Sequence, residues 1–375
     1  VGDDALLAIA AHPAAARAVL GMSRALAAAR EGEGSILLPS GRRLRLPHDE
    51  ARALFAEHGN HFPALEQAAE AVRGLLAGGN GPQGPHAQIA QAEINHAIAQ
   101  RLRGTHGLVV RVVPMPDASR SYDPQARLLL LSDLLPRESR GFHMGFQLMR
   151  LEAAAAVDQL LASTQPSSLE AASLIRIGLL NYAAAALLMP YAGFLHEAVA
   201  LRYDVDLLAA RFAVSWEQAA QRLSTLQRPG ARGVPFFFLR MDAAGNITKA
   251  FAGGGFPLAQ TNQSCPVWVA NTAFSNAAGV NVQIGEFASG ARFLCFARVL
   301  AARSTGWGEV TPRHVIALGC DVQHAPDIVY ADGIDIAHAA TPIGTACRLC
   351  DWTECRSRAF PPLGHRLPLA EAGSF

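Results

Sequence analysis

The chain has 375 residues, half of them hydrophobic and 17% charged, which excludes a disordered polymer and leaves room for two or three cores at roughly 100–200 residues per domain. A formal net charge of +1 advertises no nucleic acid, membrane or acidic partner. The basic side chains are arginines except for Lys249, a skew that fits GC-rich coding.

In chain order, residues 3–31 are rich in alanine and leucine at helical spacing, broken early by Pro13. "SILLPSGRRLRLP" follows, and its alternation around Ser-Gly predicts a hairpin or lid. From His48 to Leu76 the apolar residues return to helical spacing. "GGNGPQGP", Gly78 to Pro85, breaks any regular element and reads as a linker. Residues 1–77 are therefore expected to form a helical module of their own.

Beyond the linker, a helix over 87–103 precedes two apolar strands, "LVVRVV" and "RLLLLS", joined around Tyr122-Asp123-Pro124. Helices then run from about Pro136 to Leu226. Among them, Ile177 to Leu195 carries no charge over 19 residues, near the length of a membrane span. Asn181 and Pro190 interrupt it, so a buried core helix ended by the proline is the better reading. No basic and apolar leader opens the chain, and a soluble cytoplasmic protein is expected. After Arg228 the pattern turns to strands: a hairpin with Gly245 in its turn, then 266–269, 280–287, 292–299, 315–318 and 328–330.

Phosphate-loop, dinucleotide and nucleophile-elbow signatures are missing. His58 and His61 in "HGNH" share a helical face but have no third ligand nearby, so they read as solvated. "RGFHMGFQLMRLE", Arg140 to Glu152, stands where a small zinc peptidase would carry His-Glu-x-x-His, two ligands on one face and a glutamate to activate water. His143 is retained, but Met144 replaces the general base and Gln147 the second ligand. Peptidase chemistry is lost, and no catalytic residue is expected.

"LLAARFAVSWEQAAQRLSTL", Leu207 to Leu226, has the outline of a helix-turn-helix with Ser215 as N-cap. Gln218, Gln221 and Arg222 are a thin set for reading DNA. Then "QRLSTLQRPGARGVPFFFLR" brings arginines beside three phenylalanines, chemistry suited to a ligand with phosphates at one end and an apolar group at the other, or to an ordinary solvated connection.

Three of the six cysteines fall within "CRLCDWTEC", Cys347 to Cys355. A cytosolic chain has little use for a structural disulfide. Zinc sites usually come as two Cys-x-x-Cys knuckles, whereas three thiols on one loop with a remote fourth suit an iron–sulfur cluster. Cys347, Cys350 and Cys355 are the loop ligands. Cys320, at a strand end, is the favoured fourth, with Cys265 left open and Cys295 assigned to packing. Zinc remains the alternative.

The stretches "QRLSTLQRPGARGVPF", "LGCDVQHAPDIVYADGIDI", "ATPIGTACRLCDWTEC", "RAFPPLG" and "NYAAAALLMPY" together resemble the short-chain fatty acyl regulators of bacteria. The resemblance spans most of the chain after the linker and is looser before it. It implies an α+β fold: the helical module at 1–77, a degenerate zinc-peptidase-like helical domain at 86–230 and a β-rich α+β domain at 231–375 bearing the cysteine site. It also implies an acyl-CoA effector, a [4Fe–4S] cluster, operator DNA as partner and a homodimer. The DNA-binding helix-turn-helix is expected upstream of Val1, and Leu207–Leu226 is expected to belong to the sensor core. On this reading Arg222, Arg228 and Arg232 meet the coenzyme A phosphates, and Tyr182 and Tyr191 line the acyl pocket. A metal-dependent hydrolase and a zinc-stabilised scaffold are the competing readings.

Overall fold

A computed structural model describes residues 35–37, 43–77, 91–115, 118–258, 265–301, 307–308 and 311–360. The helix expected over 3–31 and the linker at 78–85 lie outside the described residues. The expected hairpin is present as β1 (Ser35–Leu37) antiparallel to β2 (Arg43–Arg45).

Two helices follow, α1 (Pro47–Glu57) and α2 (Pro63–Leu76), each with proline in its first turn. That position needs no backbone N–H donor. Gly59 and Asn60, at φ +55° and +58°, make the left-handed turn that ends the first. The pair is not a separate module. Leu54, Phe55, Phe62 and Leu65 share one core with Leu179, Ala183 and Leu187. The anchor is α6 (Leu169–Leu188), capped by Ser168, whose Oγ accepts from Ala171 N. Gly178 on α6 leaves room for Phe55, whose ring would lie 3.1 Å from an added Cβ. Long and apolar enough to cross a membrane, α6 instead buries Ile175, Leu179, Leu180, Tyr182 and Ala183 in this core, and it ends before Pro190 as expected.

Helix α3 (Gln91–His106) leads into a small sheet of β3 (Val109–Val113), β4 (Arg120–Asp123) and β5 (Leu128–Ser132), in the order β3-β5-β4. β3 runs parallel to β5, and β4 pairs antiparallel with it. β4, "RSYD", is missing from the expectation because it lacks the apolar run of its neighbours. Helices α4 (Arg137–Glu152), α5 (Ala154–Thr164), α7 (Tyr191–Ala200), α8 (Val205–Phe212) and α9 (Trp216–Ser224) complete the helical half.

The second half is a six-stranded sheet, ordered β11-β8-β9-β10-β6-β7: β6 (Phe237–Asp242), β7 (Ile247–Phe251), β8 (Asn281–Glu286), β9 (Arg292–Ala301), β10 (Arg313–Asp321) and β11 (Ala340–Pro342). Side chains alternate across a strand, and the phenylalanine run shows it. Phe236 and Phe238 join the helical core, while Phe237 faces a second core with Phe256, Trp268, Phe293 and Ile343. The sheet thus lies between the helices and the chain segments around residues 256 and 343.

Two expected strands are absent. "PVWV" is a turn over 266–268 leading into the short helix α10 (Val269–Thr272), because Gln283 Oε1 accepts from Val269 N and Asn271 donates to Cys265 O. These tertiary bonds override a strand-favouring composition. Residues 329–331 form a 3-10 turn, with Val329 N donating to Arg202 O. If the helices share one core, Leu179→Ala should cost about 2–5 kcal/mol. Urea unfolding followed by circular dichroism should then move as one transition rather than lose α1 and α2 separately.

Candidate effector and thiolate sites

The eroded peptidase motif lies on α4, where His143, Phe146, Gln147 and Arg150 fall at helical spacing along one stripe. Gln147 is 2% exposed, and its Nε2 has no hydrogen-bond partner; neither has His143 Nδ1. Burial, with help from Arg120, pushes His143 down to about 4, so the ring is neutral. From β4, the Arg120 guanidinium lies 3.5 Å above the Phe146 ring.

Deeper in the helical half, α2, α6 and α9 meet at a buried ion pair. Arg222 Nη1 and Nη2 donate to the two carboxylate oxygens of Glu66 at 2.7 and 3.0 Å. Arg222 also donates to Met189 O and Thr225 Oγ1. Tyr182 gives its hydroxyl proton to Glu66 at 2.6 Å. It receives the Phe62 N–H at 3.3 Å and contacts His61 Nδ1 at 3.2 Å. Burial opposes the Glu66 charge, but Arg222, with Tyr182, outweighs it and holds the carboxyl below its ordinary value. One layer outward, Tyr191 donates to Ala231 O and accepts from Arg228 N, and the Arg228 guanidinium lies 4.1 Å over its ring.

On the far side of the sheet, Cys265 is buried beside Cys347 and Cys350, whose thiols act on it electrostatically. Backbone N–H groups of Gly344 and Val267 donate to the Cys265 sulfur, and Ala359 N donates to Cys347 Sγ at 3.5 Å. Arg358 draws the loop together by donating to the carbonyls of Cys347, Cys350 and Trp352. At Gly344 a Cβ would fall 2.7 Å from Cys350 Sγ, so glycine makes room for the thiol. A cleft of about 300 Å³ opens beside Cys350, walled by Phe287, Phe293, Ile343 and Trp352. Among the described residues no three His, Cys, Asp or Glu side chains converge tightly enough to hold a single ion.

Residues 225–374 match the family model described as short-chain fatty acyl coenzyme A regulator, C-terminal, and residues 103–224 match an IrrE N-terminal-like peptidase domain. The HTH-type transcriptional regulator RamB of Mycobacterium tuberculosis is 36% identical over 97% of this chain and 77% of its own length. A propionyl-CoA carboxylase regulator of Cereibacter sphaeroides is 37% identical over 95% of this chain and 74% of its own. A solved structure, a Mycobacterium tuberculosis transcriptional regulator, superposes with a TM-score of 0.79 at 34% identity, covering 88% of this chain and 98% of that one. The chain belongs to the short-chain fatty acyl coenzyme A regulator family. It is thus one of a family of transcriptional regulators, with a peptidase-like domain in its middle.

For this regulator the expected contact residues divide sharply. Arg222 is corrected: its guanidinium is fully buried, paired with Glu66 and bonded to Met189 and Thr225, so no phosphate reaches it. Tyr182 and Tyr191 are likewise packed shut, at 2% and 1% exposure, with their hydroxyls committed to protein partners. Only Arg228 and Arg232 of that set reach the surface. His61 is corrected from solvated to buried.

Cys320 is also corrected. It lies in β10 on the helical face of the sheet, fully buried, and the charged groups that act on it are Cys295, Asp321 and Asp327 rather than the Cys347 loop. A strand alternates its faces, and Cys320 has the wrong parity. Cys265 is the one brought to the loop. Cys295 is packed in the second core, as expected.

In the helix-turn-helix outline the capping box at Ser215 and Gln218 is real, yet α9 is internal. Lys249 donates to Gln221, and Glu217 sits 3.5 Å from Arg240 and 3.6 Å from His314. Each polar residue that could have read DNA is occupied inside the protein. Sequence reasoning missed Glu66, although an acid directly after Leu65 on the buried stripe of α2 was a signal.

Breaking the buried pair leaves one charge uncompensated, so Arg222→Met and Glu66→Gln should each cost about 3–5 kcal/mol in urea unfolding. Because Glu66 is depressed in the fold, its contribution is present above its ordinary value of 4.5 and fades as pH falls through the lower folded value. Glu66→Gln should therefore flatten the acid side of the stability–pH curve below about pH 4.5. An unchanged acid limb would remove Glu66 from this role.

Proposed function

We propose that this chain is the effector-sensing region of a transcription regulator that binds a short-chain acyl-CoA and carries a thiolate-held [4Fe–4S] cluster. The observation that carries the reading is membership of the acyl coenzyme A regulator family along nearly the whole chain, with a relative named as a propionyl-CoA carboxylase regulator. In this reading the acyl-CoA selects between two arrangements of the regulator, and operator DNA responds through unequal affinity for them. Arg232 is exposed for a phosphate, and Arg228 would have to exchange its 3.4 Å pairing with Glu70 for one.

For the cluster, the donor chemistry fits. Cys265, Cys347, Cys350 and Cys355 supply thiols alone, the ligand type of iron–sulfur centres. The N–H groups of Gly344, Val267 and Ala359 directed at sulfur are the kind of contact that tunes such a centre. A cluster bound there would supply redox sensitivity and a brace for the 343–359 loop. Zinc on the same thiols is the second reading, because four thiolates are also a zinc ligand set.

Purified anaerobically, the wild type should be brown, with iron and sulfide near four per chain. Cys265→Ala and Cys350→Ala should lose the iron, and Cys320→Ala should keep it. A colourless protein with one zinc per chain would replace the cluster by a structural clasp. Iron retained by Cys265→Ala but lost from Cys320→Ala would reverse the choice of fourth ligand.

A further inference from the structure

The face of α4 that has lost its metal chemistry has acquired a different charge. A zinc-peptidase site of the His-Glu-x-x-His kind needs unprotonated imidazoles and a carboxylate. Here the glutamate position is Met144 and the second ligand is the amide of Gln147, while two guanidiniums border the same stripe. Arg120, on the edge strand β4, lies over the Phe146 ring, and Arg150, one helical repeat beyond His143, lies 5.3 Å from the Tyr122 ring. Among the described residues neither arginine has a carboxylate partner, whereas Arg222, Arg228, Arg202, Arg211 and Arg298 each have one.

A half-buried cation with a like charge near it, as Arg120 has in the exposed Arg150, is costly without a counter-charge. Burial, with Arg150 adding, makes Arg120 easier to deprotonate than a free arginine, which is the electrostatic sign of that cost. Beside them lie two more polar groups with nothing to bind, Gln147 Nε2 and His143 Nδ1. Buried polar atoms in folded proteins are almost always paired. Four groups therefore meet along this stripe: the half-buried Arg120 cation, the buried Gln147 amide donor and the buried His143 ring nitrogen, none with a charged or hydrogen-bonding partner among the described residues, and the exposed Arg150 guanidinium beside them. All four are satisfied by the same thing, an oxyanion. The Phe146 ring lies against the Arg120 guanidinium and the Tyr122 ring near that of Arg150, and a guanidinium held against a ring suits a planar or tetrahedral anion.

We propose that the former metal-binding face of the peptidase-like domain is an oxyanion-binding site. Arg120 and Arg150 provide the charge, and Gln147 and His143 provide hydrogen-bonding groups, for a phosphate or carboxylate. A small rotation of the Gln147 amide or the His143 ring brings these atoms to the ligand. Phosphate chemistry could come from the effector's own coenzyme A moiety or from a free anion, and the site itself does not depend on the acyl-CoA reading.

The test is calorimetric titration of inorganic pyrophosphate into the whole 375-residue chain at low salt, where charge attraction is least screened. Wild type should bind saturably, and Arg120→Gln and Arg150→Gln should each weaken binding at least tenfold with unchanged melting temperature. Arg313→Gln, an exposed arginine on β10, should bind as wild type. If propionyl-CoA binding falls in parallel, the anion is the effector's phosphate. If it is untouched, the site holds a separate anion, and the proposal stands. A wild type that binds propionyl-CoA but not pyrophosphate would leave the regulator reading intact and overturn this one. Full pyrophosphate binding in both folded variants would do the same.

Discussion

A carboxylate and a guanidinium taken out of water together, Glu66 and Arg222, set the arrangement of the helical half. Separately, either would cost several kcal/mol to bury. Jointly they are tolerated because every polar atom around them is matched: Tyr182 and Thr225 by hydroxyl, Met189 by carbonyl, Phe62 by its N–H. The partners come from α2, α6 and α9, which are far apart in sequence. A shift of α2 or α9 by a turn would strand a charge, and a shift of α6 would remove the Tyr182 hydroxyl from Glu66. Apolar packing alone would permit such slippage, so the pair supplies the register and the surrounding leucines and phenylalanines supply most of the stabilisation.

From that fixed half the sheet extends to the cysteines. Phe236 and Phe238 belong to the helical core and Phe237 to the opposite one, so one strand is shared by both. A second tie lies at Arg202 and Tyr203, two consecutive left-handed residues with φ of +49° and +60°. Arg202 reaches both oxygens of Asp332, and Tyr203 receives the Val234 N–H. Strained backbone of this kind persists only where its surroundings hold it. It joins the helices to the segment that follows β10, and so to the chain leading into the cysteine loop. A ligand on one side can influence the other only by favouring one of two packings of these shared elements, and the rigid brace at Glu66 gives such a change something to move against.

Much of this was legible in the residues. Helical spacing, the Pro190 stop, the Gly245 hairpin and the loss of the peptidase glutamate were all readable because each is a local rule. What failed needed tertiary information. "PVWV" reads as a strand until Gln283, on another strand, accepts its N–H. Cys320 looked well placed at a strand end, and only the sheet's parity turns it away from the loop and brings in Cys265. Arg222 looked like a ligand contact because its partner, Glu66, lies 156 residues earlier. A buried ion pair leaves two weak marks in sequence, one on each helix, and neither identifies the other.

The most direct measurement is calorimetric titration of propionyl-CoA into the anaerobically purified chain, with free coenzyme A and propionate as comparisons. The account predicts saturable binding that is tighter for the thioester than for either half. Absence of propionyl-CoA binding, or equal affinity for free coenzyme A, would contradict an acyl-CoA sensor and leave a regulator that answers to a different signal.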